Sequence, residues 1–176
     1  HSGIDIFLTL SPAPCDTGIL FKRSDIEDGK NEIKASYKNV TTTNLGTTIA
    51  NEFGTKISTI EHLMAAIWGC GIDNLIVEVN GPEVPIMDGS SEPFVFLIEC
   101  AGINPQDKQR KVIEIIKEVK IEEDDEKMVQ VLPSKEFALD LHIDFNHKQV
   151  KKQKFDYSST FASFKNDLCR ARTFGF

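Results

Sequence analysis

The stretch Ser58-Thr59-Ile60-Glu61-His62-Leu63-Met64-Ala65-Ala66-Ile67-Trp68-Gly69-Cys70-Gly71-Ile72-Asp73-Asn74-Leu75-Ile76-Val77-Glu78-Val79 decides the fold class. Ile60, Leu63, Met64, Ile67 and Trp68 recur at helical spacing and make one apolar face, so a helix is expected over Ser58–Trp68. Ser58 and Glu61 have capping-box spacing, and Gly69 and Gly71 end the helix. Asn74–Val79 then reads as a strand. A helix followed closely by a strand, with strands before it, points to an α+β chain.

Working outward, residues 4–10 read as a strand stopped by Pro12 and Pro14, with residues 18–23 as its hairpin partner. Residues 31–57 are rich in Thr and Asn and read as a small β insertion. Gly81, Pro82 and Pro85 force a loop after the central strand. A second helix is expected over Glu92–Ala101, with Ser91 as cap, Pro93 in the first turn and Gly102 past the end. The polar connection 104–110 marks a domain boundary, giving a first domain over 1–104 and a second over 111–176. In the second, 111–121 and 127–132 read as a hairpin around the acidic turn Glu122–Glu126. Residues 137–145 alternate cleanly, and a third helix is expected over Ser159–Ala171. The class that follows is α+β, with helices packed on one face of each sheet.

Composition narrows the function. The 176 residues are 40% hydrophobic and 27% charged, an ordinary globular balance. A net charge of −7 makes general binding to a nucleic-acid backbone a poor reading. No run of about 18 apolar residues occurs, so no membrane span is expected. Cys15, Cys70, Cys100 and Cys169 form no CxxC pair, which argues against a zinc knuckle and fits reduced cytosolic thiols.

Few residues stand out as chemical. At 100° per residue His62 points about 200° from Ile60, off the apolar stripe. It lies beside Glu61 in the first helical turn, where the positive helix end favours a carboxylate and a neutral imidazole. Such a pair can supply one ligand and the base of a hydrolytic zinc site. Spacing alone leaves Glu61 equally explained as a capping residue, and HExxH is absent. Asp140, His142 and Asp144 share a strand face, which reads better as a solvated face than as a metal site. Gly69-Cys70-Gly71 lacks the third glycine and preceding strand of a dinucleotide fingerprint. Asp88 reads as an Asx-turn residue. Thr173 and Phe174, taken alone, are ordinary loop residues.

Several segments together resemble the zinc-dependent UDP-3-O-acyl-N-acetylglucosamine deacetylases of lipid A biosynthesis, the LpxC family. They are His1-Ser2-Gly3, Ser11–Pro14 through Thr17-Gly18, Ile57–Leu63, Gly71–Asn74, Pro82–Ser90, Ile143-Asp144-Phe145 and Ala171–Phe176, in the family's order. The resemblance implies removal of the N-acetyl group from a UDP-linked acylated glucosamine, with Zn2+ as cofactor. Glu61 matches the general base, His62 the first zinc ligand, and Thr173 a residue that holds the oxyanion. Phe174 matches a substrate-contacting aromatic and Lys127 a substrate-binding lysine. Leu45 and Thr48 lie in the insertion that lines the site.

The family fold so implied is a two-domain α/β sandwich, its helices packed between two sheets, here with the second domain incomplete. The family's remaining zinc ligands, in an H-K-x-x-D motif, and its general-acid histidine, in an S-G-H stretch, are expected beyond Phe176. The polypeptide is therefore expected to be a fragment, inactive alone and poorly stable past about Lys111. A cytoplasmic monomer acting on an amphiphilic UDP-sugar, with no nucleic acid and no membrane span, completes the expectation. A non-catalytic nucleotide-sugar-binding module is the alternative.

Overall fold

A computed structural model describes residues 3–123, 127–159 and 163–173. The elements are β1 (Leu8–Pro12), β2 (Ile19–Arg23), β3 (Glu32–Lys34), β4 (Val40–Thr42), β5 (Thr48–Ala50), β6 (Lys56–Ile57), α1 (Glu61–Gly69), β7 (Leu75–Val79) and α2 (Glu92–Ala101). They are followed by β8 (Val119–Glu123), β9 (Lys127–Val131), β10 (Ala138–Phe145), β11 (Lys151–Ser158) and a short π-type helix, Phe164–Leu168. The class is mixed α+β, as the sequence pattern requires. Two compact units form: His1–Lys108 with Lys165–Phe176, and Gln109–Phe164.

In the first unit the main sheet has the order β1-β7-β2-β3. The expected hairpin of residues 4–10 with 18–23 is not formed. β7 lies between them, antiparallel to β1 and parallel to β2. Burial explains the choice. Leu75, Val77 and Val79 on β7 are all buried, so β7 takes a central position, whereas β1 is partly exposed along its length. β1 also runs through Pro12 instead of stopping before it, because an edge strand tolerates a residue without an N–H.

β3 joins this main sheet. The insertion that remains is the three-stranded sheet β4-β5-β6, shorter than the expected 31–57. Arg23 ties the two sheets together. Its guanidinium forks onto Asp25 at 2.7 and 2.6 Å and donates to the Lys56 carbonyl at 2.8 Å. The same fork holds the Asp25 carboxyl below its ordinary range.

The core collects Phe21, Ile33, Val77 and Val79 from the sheet, Leu63, Ala66 and Ile67 from α1, and Phe94, Val95 and Ile98 from α2. α1 and α2 pack against one another. The apolar stripe of α1 is rotated from the expected one: Ala66 is fully buried and Trp68 is 46% exposed. α2 has its expected bounds, with Pro93 at its start and Gly102 at φ 81° beyond its end. Ser91 makes no side-chain cap, however; Ser90 Oγ accepts the Glu92 N–H instead.

The third helix departs most from expectation. Only the π-type turn Phe164–Leu168 is regular, residue 159 is not helical, and residues 160–162 lie outside the described residues. Cys15, Cys70, Cys100 and Cys169 are all free thiols, and burial pushes those of Cys70 and Cys169 upward.

The second unit consists of two hairpins, β8-β9 and β10-β11. The first is shorter than expected, since residues 111–118 form no strand, and the tip 124–126 lies outside the described residues. β11 is an additional strand, pairing Leu139 with Tyr157 and Leu141 with Phe155. Leu139, Leu141, Phe145 and Phe155 share one face of this hairpin and remain well exposed. Among the described residues no helix is long and apolar enough to cross a membrane.

Candidate functional site

The start of α1 is built by an unusual backbone. Thr59 sits at φ 58° although it is β-branched and 4% exposed. That conformation breaks the capping box expected between Ser58 and Glu61. The helix begins at Glu61, Ile60 is its cap, and no side chain caps it. Glu61 is thus not a capping residue. Its Oε2 accepts the backbone N–H of Thr47 at 2.9 Å. Its Oε1 has no hydrogen bond among the described residues.

The turn between β4 and β5 is pressed onto this carboxylate. A Cβ added at Gly46 would lie 3.3 Å from Glu61 Oε1 and 3.6 Å from Thr59 Oγ1, so only glycine allows the approach without displacement. Ile60 N–H donates to the Thr47 carbonyl at 3.3 Å, and Thr48 Oγ1 donates to Ser58 Oγ at 3.0 Å. Leu45, one residue before Gly46, stands at φ 58° and is 89% exposed at the tip. The structure therefore brings Glu61, Thr48 and the Leu45 turn together.

His62 follows Glu61 in the first turn of α1 and is half-buried. Its imidazole has no hydrogen-bond partner among the described residues. Among the same residues no group of three or more His, Cys, Asp and Glu is placed to hold a metal ion. His62 fits as one donor of a zinc site, which takes about three from the protein.

Thr173 is held within the first unit by a different device. Asp88 makes the expected Asx turn, accepting from Ser90 N–H at 3.0 Å and from Ser90 Oγ at 2.7 Å. Its second oxygen accepts from Arg172 at 3.1 Å, and Thr173 N–H donates to the Gly89 carbonyl at 2.8 Å. The two bonds from Ser90 lead the causes that hold the Asp88 carboxyl below its ordinary range, with Arg172 adding to them. Alongside, Ser91 Oγ donates to the Cys169 carbonyl and Arg170 pairs with Glu92.

Lys127 lies in the second unit, at the start of β9. It is exposed and 3.8 Å from Glu123 across the hairpin. Phe174 lies outside the described residues. The Asp140–His142–Asp144 face is the solvated face expected. His142 contacts Asp140 at 2.7 Å, while Lys154 and Lys152 of β11 pair with Asp140 and Asp144.

Two features of the helix start went unmarked in the sequence. Thr59 Oγ1 donates to Glu83 Oε1 at 2.9 Å, with both residues buried. No propensity signals a left-handed threonine. The Gly46-Thr47 contact could have been sought only from the glycine preceding a Thr-rich strand.

Fold and helix start together define an α+β protein that sets a carboxylate and an imidazole side by side at the first turn of a helix. The chain belongs to the UDP-3-O-acyl N-acetylglycosamine deacetylase family, LpxC, whose model matches residues 1–176. It is 45% identical over 180 residues to the UDP-3-O-acyl-N-acetylglucosamine deacetylase of Shewanella halifaxensis, and equally to that of Shewanella piezotolerans. All of the chain is covered, and it spans 58% of the length of each relative.

Proposed function

We propose that the chain forms part of a zinc-dependent deacetylase that removes the N-acetyl group from UDP-3-O-acyl-N-acetylglucosamine in lipid A biosynthesis. The observation that carries this reading is the state of Glu61. One oxygen is pinned by the Thr47 N–H and the other has no hydrogen bond among the described residues, directly beside the His62 imidazole. Membership of the family and the relatives' printed activity support it.

His62 would hold the zinc, with further donors from outside the described residues. When bound, zinc supplies the Lewis acidity that makes water nucleophilic near neutral pH. Glu61 takes a proton from the attacking water at Oε1. The water oxygen bonds to the acetamide carbonyl carbon, and the Thr173 hydroxyl donates to the oxygen that gains charge. The C–N bond then breaks as the leaving nitrogen takes up the two protons that the attacking water brought, giving acetate and an ammonium group. Leu45 and Thr48 would line the substrate, Phe174 would contact the sugar and Lys127 the UDP-linked end. The enzyme is read as a cytoplasmic monomer whose first domain spans 1–104 and whose second begins at 111.

Glu61→Gln tests the assignment in the full-length, zinc-loaded enzyme. Glutamine retains an acceptor for Thr47 and removes the base. Turnover should fall by about 10²–10⁴-fold with the fold and zinc content unchanged. Undiminished turnover would favour a non-catalytic sugar-binding module.

A further inference from the structure

We propose that Glu83 and Thr59 form a positioning pair that aims Glu61 and His62, an inference that rests on the catalytic reading above. The pair occupies the turn that carries the chain from β6 into α1. Thr59 is the residue before the helix cap, and its φ of 58° sets the direction in which α1 departs. A β-branched residue in the left-handed region is costly and persists only where its surroundings hold it.

Here the hold is specific. The Thr59 hydroxyl donates to the Glu83 carboxylate at 2.9 Å, and the two residues are 4% and 8% exposed. The backbone around them is clamped as well. Ser58 N–H donates to the Pro82 carbonyl at 2.9 Å, and Val84 N–H donates to the Ser58 carbonyl at 3.0 Å. Glu83 therefore grips the helix entrance from the side opposite in sequence to the Gly46-Thr47 turn. Thr59 Oγ1 would be 3.6 Å from a Cβ at Gly46, and Glu61 Oε1 3.3 Å from it, so both grips converge on one small volume.

The pair touches no reacting atom. It acts through the backbone, fixing the two residues that follow Ile60. Supporting groups of this kind typically change activity or metal affinity by about 10–100-fold when removed. A carboxylate that served only as scaffolding there would leave kcat unchanged, and the experiment separates the two roles.

The test uses the full-length, zinc-loaded enzyme. Thr59→Val keeps the shape and removes the hydroxyl, and Glu83→Ala breaks the same bond from the other side. Each should lower kcat by about 10–100-fold and leave KM within a factor of about three. Thr59→Ser, which keeps the donor, should restore kcat to within a few-fold. The double variant should be no worse than the poorer single one, because both changes remove the same bond. Glu61→Gln is run in parallel. If Glu61→Gln is inactive while Thr59→Val and Glu83→Ala retain kcat and only melt earlier, the pair is scaffolding and the positioning role is overturned. If Glu61→Gln itself turns over normally, the catalytic reading has failed and takes this proposal with it.

Discussion

Ser90→Ala probes the node that connects α2 to the Thr173 anchor. Ser90 is fully buried. Its hydroxyl donates to Asp88 at 2.7 Å and accepts the Glu92 N–H at 3.2 Å. Alanine keeps the Cβ and opens little space, so the effect is one of hydrogen bonding. Loss of a side-chain acceptor at a helix start costs about 0.5–2 kcal/mol. For a unit of this size that corresponds to a melting temperature lower by about 2–12 °C. Differential scanning calorimetry across pH adds a second readout. The Asp88 carboxyl titrates below its ordinary value of 3.8 when folded, with its bonds from Ser90 leading the causes. A depressed carboxyl stabilises the fold above its unfolded pKa and loses that contribution as pH falls through the folded value. Wild type and variant should therefore differ most near neutral pH, and the gap should narrow below about pH 4 to the part that the lost Glu92 bond alone accounts for. A variant that melts with wild type at pH 7 would refute the node. A gap that stays constant into acid would show that Asp88 takes no part.

Leu63 is fully buried on α1. Leu63→Ala should cost about 2–5 kcal/mol in urea unfolding, followed through Trp68, the only tryptophan and on the same helix. A loss under about 1 kcal/mol would mean that this face does not hold the helix. Brief proteolysis of the 176-residue chain should cut within Gln109–Phe164 first, since its hairpins leave Val119, Ile121, Leu141 and Phe155 exposed. Cleavage confined to the first unit would count against that.

The sequence made some elements plain for identifiable reasons. α2 is bounded by Pro93 and Gly102, two residues whose backbone preferences are local, and its expected and observed ends coincide. β7 announces itself through an apolar run. Sheet order is a different matter. Nothing local in residues 18–23 says that β7 rather than β1 will be their neighbour; burial of Val77 and Val79 decides it. β11 was hidden by its lysines, although Phe155 and Tyr157 lie on the face opposite Lys152 and Lys154. At the candidate site, the Glu61–His62 pair was visible as chemistry, but the capping box was misleading. It presumes ordinary helical entry, and Thr59 enters from the left-handed region. Tertiary contacts with Glu83 and Thr47 prevailed over local spacing.

The two halves of the candidate site are also separated in folding time. Glu61 is secured to Thr47 across 14 residues, whereas Asp88 is joined to Arg172 across 84. Closing the longer loop costs about 1.6 kcal/mol more in chain entropy, and slows contact formation accordingly. On a ribosome the carboxylate can find its partner before the second unit has been synthesised. The Thr173 anchor must wait until that unit has emerged, so a nascent chain orders the Glu61 carboxylate well before Thr173 is in place.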